Sequence, residues 1–354
     1  MSAPVPQGID AEAVAKFFAA HVEGGDVPLR FSFLSGGRSN LSYRVEGRGH
    51  SWVLRRPPLG HVLPTAHDMA REHRVLSALR DTGLPVPRTR ALCEDAAVTG
   101  APFYVMDFAP GIVIEEEMPA GYATTPRERR RIGESLMKTL AQLHTVDYRA
   151  VGLADFGRPE GYLARQVRRW SEQWERSKAS EVELISELIR RLNASLPATP
   201  VATIVHGDWR LGNVALDPAD PGHVVAIFDW EMATLGDPLA DLGYTLVYWG
   251  EASDAKGSRG PGAYASVTKQ PGFHTRAELV AEYERASGRD VSQIEFYEVL
   301  ALYKLAVISE GAYARWRAGL TAGEFQEMER VSIPLCEAAM AIAERSSLRG
   351  LRGR

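Results

Sequence analysis

The spacing of apolar and polar positions changes character once along this chain. Residues 10–22 (DAEAVAKFFAAHV) carry apolar side chains at helical spacing, and Asp10 stands where an N-cap belongs, predicting a short amphipathic helix. In LRFSFLSGGRSNLSYRVEGRGHSWVLRR, residues 29–56, apolar runs alternate with Gly, Ser and Asn, the pattern of a three-stranded meander. A helix is expected over Ala66–Leu79. Two strands are expected in ALCEDAAVTGAPFYVMDF around a turn at Thr99–Gly100. Beyond Gly111 the period becomes helical. Thr125-Pro126-Arg127-Glu128 reads as a capping box with proline at the first helical position, followed by Ile132, Leu136, Leu140 and Leu143. Further helices are expected over 161–176, 181–194, 276–287, 293–317 and 323–346, with two short apolar runs, TIVHG and VVAIFDW, between them. The pattern predicts an α+β protein: a small antiparallel-sheet N-lobe over residues 1–110 and a large, mainly helical C-lobe over 111–354. Residues 250–272 read as a long polar loop.

Composition narrows the function classes. The 354 residues are 45% hydrophobic and 24% charged, an ordinary globular balance, and a net charge of −4 gives no general attraction to nucleic acid or anionic lipid. Cys93 and Cys336 are isolated, which argues against a disulfide framework or a cysteine zinc site and fits a cytoplasmic protein. Neither a signal peptide nor a membrane span is expected. Arginine greatly outnumbers lysine, which occurs only at positions 16, 138, 178, 256, 269 and 304.

The candidate chemistry lies in HGDWRLGNV, residues 206–214, and IFDWEMATLGDPLADLGY, residues 227–244. Asp208 and Asn213 sit in a loop after one apolar run, and Asp229 ends another. Three oxygen-bearing side chains suit Mg2+, a hard cation that takes one or two carboxylates plus substrate phosphates. Phosphoryl transfer needs such a metal, a residue to orient the attacking hydroxyl and little else. The H-x-D-x-x-x-x-N spacing followed by D-W-E parallels the catalytic loop and D-F-G triplet of kinases.

On these motifs the chain resembles the aminoglycoside phosphotransferase and choline kinase group, which has the protein kinase-like fold. The resemblance runs from about Leu29 to the C-terminal helices. It implies ATP and Mg2+ as cofactors, Asp208 as the residue that accepts or orients the hydroxyl proton, and Asn213 and Asp229 as metal ligands. It also implies that SGGRSN covers the nucleotide phosphates, through Ser35, Gly36, Gly37, Ser39 and Asn40. The strand cation for the phosphates would be Arg55, standing where relatives carry Lys or Arg, paired with Glu72. The hinge would be FYVMDFAPG, with adenine on backbone groups near Asp107 and Phe108 and packed on Val53 and Met106. His206, Asp237 and Asp241 are assigned structural roles, and Glu231 fits either the metal's surroundings or the scaffold.

Two segments refine the resemblance. RRPPLGHVLPTAHDMAREHRVL and YLARQVRRWSEQWERS are similar to the kinase-like domain joined to acyl-CoA dehydrogenase family members 10 and 11. That implies a small-molecule hydroxyl acceptor, namely a hydroxyacyl-CoA or hydroxy acid. The alternatives are an aminoglycoside or amino-alcohol kinase and a regulatory nucleotide-binding pseudokinase. Arg165 and Arg169, four apart on one helix, could meet acyl-CoA phosphates beside a tryptophan, although a solvated helix face explains them more simply.

Overall fold

The computed structural model describes residues 5–34, 40–59, 67–178, 182–198, 201–254, 267–319 and 331–353. The chain divides into two compact units, one comprising Met1–Gly111, Val151–Leu153 and Val225–Ala233, the other the remainder.

The first unit is built on a five-stranded antiparallel sheet. After helix α1 (Ala11–His21) come strands β1 (Arg30–Phe33), β2 (Leu41–Gly47) and β3 (His50–Arg56), then helix α2 (Met69–Leu79) and strands β4 (Thr89–Cys93) and β5 (Phe103–Asp107), in the order β1-β2-β3-β5-β4. Asp10 caps α1 by accepting from the amides of Glu12 and Ala13, and Asp68 caps α2 through the amide of Arg71. The α2 helix therefore begins at Met69. Side chains alternate across each strand. On β3, Trp52 and Leu54 join Val14 and Phe18 of α1, Tyr43, Val45, Phe103 and Val105 in one buried cluster. The Phe18 and Trp52 rings meet edge to face at 5.6 Å. Each of these large side chains adds about 1.5–3 kcal/mol by leaving water. Val53 and Arg55 alternate to the opposite face, and Val53 pairs in register with Met106.

The sheet unit also takes in Val225–Ala233, which sequence patterning alone places in the C-lobe. Several polar links among the described residues hold this segment. The Ile227 amide donates to Pro85 O at 2.8 Å, Arg71 Nη2 to Ala233 O at 3.0 Å, Arg55 to Asp229 and Asn40 to Glu231.

The second unit is mainly helical. It contains α3 (Pro126–Thr145), α4 (Tyr162–Ser177), α5 (Glu183–Asn193), β6 (Thr203–Val205) and β7 (Val214–Leu216). Strand β8 (Val224–Ile227) starts here and passes into the sheet unit. Then follow β9 (Thr234–Gly236), α6 (Leu239–Val247), α7 (Arg276–Ser287), α8 (Ile294–Arg317), α9 (Ser332–Arg345) and α10 (Arg349–Arg352). The capping box at the head of α3 forms in full: Glu128 N donates to Thr125 Oγ1, and Thr125 N to Glu128 Oε2. Antiparallel β6 and β9 pair Ile204 with Leu235. Strands β7 and β9, three residues each, are too short to leave a periodicity in the sequence. Of the expected helix over 323–346, Ser332–Arg345 is observed, and residues 320–330 lie outside the described residues; so do 255–266 of the expected polar loop. No described helix is long and apolar enough to cross a membrane.

Candidate active site

In the helical unit, β6 delivers the chain into His206-Gly207-Asp208. Gly207 turns the backbone at φ 83°, where a side chain would be strained. The loop is held from below by Asp241 on α6, which is fully buried. Its carboxylate accepts the amides of His206 at 2.6 Å and Gly207 at 2.7 Å, and faces His144 Nε2 at 3.2 Å. An ionised carboxylate only accepts, so His144 carries its proton on Nε2, and its Nδ1 accepts from the Tyr283 hydroxyl at 2.7 Å. Burial pushes the Asp241 carboxyl up, but His144, His206 and the Gly207 amide outweigh it and hold the group below its ordinary range. His206 itself is buried. Its Nδ1 accepts the Asp208 amide at 3.3 Å, and its ring packs edge to face on Trp209.

Asp241→Asn is expected to cost about 2–4 kcal/mol, because the amide group turns a donor toward one or two buried donors at about 1–3 kcal/mol each. The folded pKa of Asp241 lies below the ordinary 3.8, so its contribution is complete above about pH 4 and is lost as pH falls through the folded value. Urea midpoints should therefore differ most between wild type and Asp241→Asn at pH 7, and the gap should narrow toward pH 3. A gap independent of pH would remove the charge from this account.

Beyond Asp208 the chain forms a 3-10 turn, Leu211–Asn213. This turn brings the Asn213 amide nitrogen to Asp208 O at 2.8 Å and to Asp208 Oδ2 at 2.7 Å. Both partners are pure acceptors, so the nitrogen must face them and the carbonyl oxygen Oδ1 must face away. Asp208 Oδ2 also has Arg210 Nε at 3.5 Å. Asp237 accepts from the Leu239 amide at the head of α6 and from the Tyr297 hydroxyl, fixing the turn after β9.

In the sheet unit, Arg55 is buried and bridges two carboxylates: Nε to Glu72 Oε2 at 2.9 Å and Nη2 to Asp229 Oδ1 at 2.6 Å. Burial disfavours the guanidinium charge, but Glu72, Tyr104 and Asp229 outweigh it and hold the pKa above its ordinary value. Glu72 also accepts from Tyr104 OH at 3.1 Å and Asn40 Nδ2 at 2.9 Å. Burial raises its pKa, and Arg55 opposes the shift. Asp229 adopts a left-handed backbone, φ 63° and ψ 64°, which Asp tolerates better than most residues, between β8 and the 3-10 turn Trp230–Met232. Glu231, from that turn, accepts from Asn40 at 3.0 Å.

The other residues expected at the nucleotide have the following settings. Asn40 turns its carboxamide inward to Glu72 and Glu231 and is fully buried, so that side chain is tied into the scaffold. Ser35, Gly36, Gly37 and Ser39 lie outside the described residues. Val53 and Met106 are adjacent on β3 and β5 and nearly buried. The Asp107 amide donates to Arg88 O and the Phe108 amide to Ser51 O, so an adenine could take neither N–H without breaking a sheet-unit bond. The Asp107 carboxylate is held by Arg90 through two bonds, and Phe108 lies under the Arg44 guanidinium at 4.4 Å. Arg165 spends its guanidinium on the carbonyls of Arg158 and Glu160, while Trp170 and Trp174 are buried.

These motifs lie within residues 30–297, which match the model of the phosphotransferase enzyme family. The chain belongs to that family. Chicken (Gallus gallus) acyl-CoA dehydrogenase family member 11 is 33% identical over 325 residues, covering 90% of this chain and 41% of the relative. Mouse (Mus musculus) acyl-CoA dehydrogenase family member 10 is 32% identical over 350 residues, covering 98% and 32%. The phosphotransferase thus spans about a third to two fifths of the length of these curated relatives. A crystal structure from Ralstonia eutropha, provisionally described as an aminoglycoside phosphotransferase, matches with a TM-score of 0.81 at 31% identity, covering 96% of this chain and 99% of the other. The fold is the α+β, protein kinase-like fold of this family.

The phosphotransferase surrounds Asp208 with residues that motif reading passed over. Lys304 on α8 donates to Gly207 O at 2.7 Å, and its ammonium lies over the Tyr244 ring at 4.1 Å. Burial lowers the Lys304 pKa, opposed by Asp208 and Asp241. Arg210 lies over Tyr248 at 5.6 Å, and the Tyr244 and Tyr248 hydroxyls are 3.3 Å apart. The only sequence signal for Lys304 is its rarity: a lysine in a chain that otherwise prefers arginine, inside the apolar face of a long helix.

Proposed function

We propose that the protein transfers the γ-phosphate of ATP to the hydroxyl of a small molecule, with a hydroxyacyl-CoA or hydroxy acid as acceptor. The observation that carries this reading is the Asp208 carboxylate, held on a loop clamped by Asp241, oriented by Asn213 and flanked by cations. Asp208 accepts a hydrogen bond from the acceptor hydroxyl, aims its oxygen and takes its proton as the new oxygen–phosphorus bond forms and the bond from the γ-phosphorus to the bridging oxygen breaks, releasing ADP.

The donors that the motif assigns to the metal fit Mg2+. They are oxygens only, Asn213 Oδ1 faces away from Asp208, and Asp229 keeps a second oxygen beyond the one that meets Arg55. When bound, Mg2+ neutralises charge on the phosphate oxygens. Arg55 meets the nucleotide phosphates through its remaining donors, since Glu72 and Asp229 occupy two of five and Ser42 Oγ accepts a third at 3.5 Å. Glu72 keeps the guanidinium in place.

The surroundings of Asp208 favour an anionic or neutral acceptor. Arg210 and Lys304 stand beside it, and a polycationic sugar would meet like charge there. Similarity to the acyl-CoA dehydrogenase family members supports the acyl-CoA class.

The test is phosphate transfer from labelled ATP with magnesium to 4-hydroxyacyl-CoAs, free hydroxy acids, choline and kanamycin. Label is expected on the hydroxyacyl-CoAs or hydroxy acids. Label on kanamycin or choline alone would overturn the acceptor class and leave the transfer reading standing.

A further inference from the structure

We propose that Glu134, His274 and Glu282 form a binding site for a zinc-class divalent cation, outside the residues assigned to phosphoryl transfer, joining α3 to the head of α7. One ligating atom from each residue lies within 4.8 Å of the other two. His274 is 1% exposed, and neither ring nitrogen has a hydrogen-bond partner. A buried polar group left without a partner costs about 1–3 kcal/mol. A metal bond would remove that cost for the nitrogen that faces the two carboxylates.

The local structure is arranged to hold the imidazole there. His274 directly precedes Thr275, whose capping box with Glu278 starts α7. Its carbonyl accepts from Trp249 Nε1 at 2.7 Å, which fixes the backbone. On α3, residue 133 is glycine, and a Cβ there would lie 2.5 Å from His274 Nδ1. Only the absent side chain leaves room for the ring. Burial lowers the His274 pKa and Arg130 acts in the same direction, against Glu278, Glu134 and Glu282; a metal takes the neutral form of the ring.

The donor set selects the metal class. One imidazole with two carboxylates suits Zn2+, whereas Mg2+ and Ca2+ prefer oxygen alone. Three protein ligands leave a position for water. Arg285 meets Glu282 Oε2, and Arg130 stands 3.6 Å from Glu134 Oε1. Each carboxylate has a second oxygen, so both arginines can stay while a metal binds.

The test uses the full chain, stripped with a chelator and titrated with Zn2+ without nucleotide, followed by competition with a chromophoric chelator. Co2+ serves as a spectroscopic substitute. We expect saturable uptake of one ion per chain, a rise in Tm, and the visible absorption of Co2+ in a low-coordinate site. Glu134→Gln and Glu282→Gln, at partly exposed positions, should each weaken binding by about tenfold or more. The double variant should abolish the Tm shift, and Asp208→Ala should leave zinc affinity unchanged. The proposal fails if the wild type takes up no zinc at micromolar concentration. It also fails if uptake survives in the double variant or is lost in Asp208→Ala.

Discussion

Asp208→Ala is expected to lower kcat by about 10²–10⁴-fold, the range for removing a positioned proton acceptor, while ATP binding stays near the wild-type value. The carboxylate is the acceptor to which Asn213 donates and beside which Arg210 stands, so its loss removes a proton acceptor without emptying a packed core. The loop should persist, because its backbone is held by Asp241 and Lys304 rather than by Asp208. Steady-state kinetics with a hydroxyacyl-CoA, beside calorimetric titration with ATP, separates the two quantities. A variant that keeps more than about a tenth of wild-type kcat would remove Asp208 from the proton-transfer role. A parallel loss of ATP affinity would indicate a folding defect instead.

Arg55→Met is expected to destabilise the protein by about 3–5 kcal/mol, the cost of breaking a buried ion pair from one side. The substitution leaves Glu72, with a side chain only 1% exposed, without its cation, and takes the partner from Asp229. Tyr104 and Asn40 still donate to Glu72, but neither carries charge. Arg55→Met combined with Glu72→Gln should recover part of the loss, because no uncompensated carboxylate remains buried. Arg55→Lys separates charge from shape. An ammonium keeps the charge but lacks the planar fork that meets Glu72 and Asp229 at once, so stability should fall less than in Arg55→Met while kcat still drops. Urea unfolding followed by tryptophan fluorescence reads the stability. A loss below about 1 kcal/mol for Arg55→Met would mean that the bridge is solvent-screened and not structural.

Asp208 and Arg55 are both legible in the sequence alone. The five-residue interval from Asp208 to Asn213 is one such case. The 3-10 turn Leu211–Asn213 closes it, so local backbone geometry is enough to join the two side chains. Asp10 and Thr125 are others, since a cap acts on amides two or three residues away. The strand alternation of β3 also separates Arg55 from Trp52 and Leu54 by simple period.

Other features had no local signature. Arg55 meets Asp229 across 174 residues, Lys304 reaches Gly207 across 97, and Asp241 supports the catalytic loop from 34 and 35 residues away. The inward turn of Asn40 and the spent amides of Asp107 and Phe108 likewise follow from what packs beside them. His274 reads in sequence as an ordinary residue before a helix, and only the approach of Gly133, Glu134 and Glu282 gives it a setting.

By itself, then, the sequence determined the α+β order of elements, the helix caps and the spacing of the phosphotransferase motif. Each of these is set by periodicity or by hydrogen bonds spanning a few residues. The tertiary structure alone decided which carboxylate each buried cation meets, which backbone donors are already taken, and that Val225–Ala233 packs with the sheet unit. Those outcomes depend on burial: once water is excluded, every charge and amide must find a partner among whatever distant segments the fold brings alongside it.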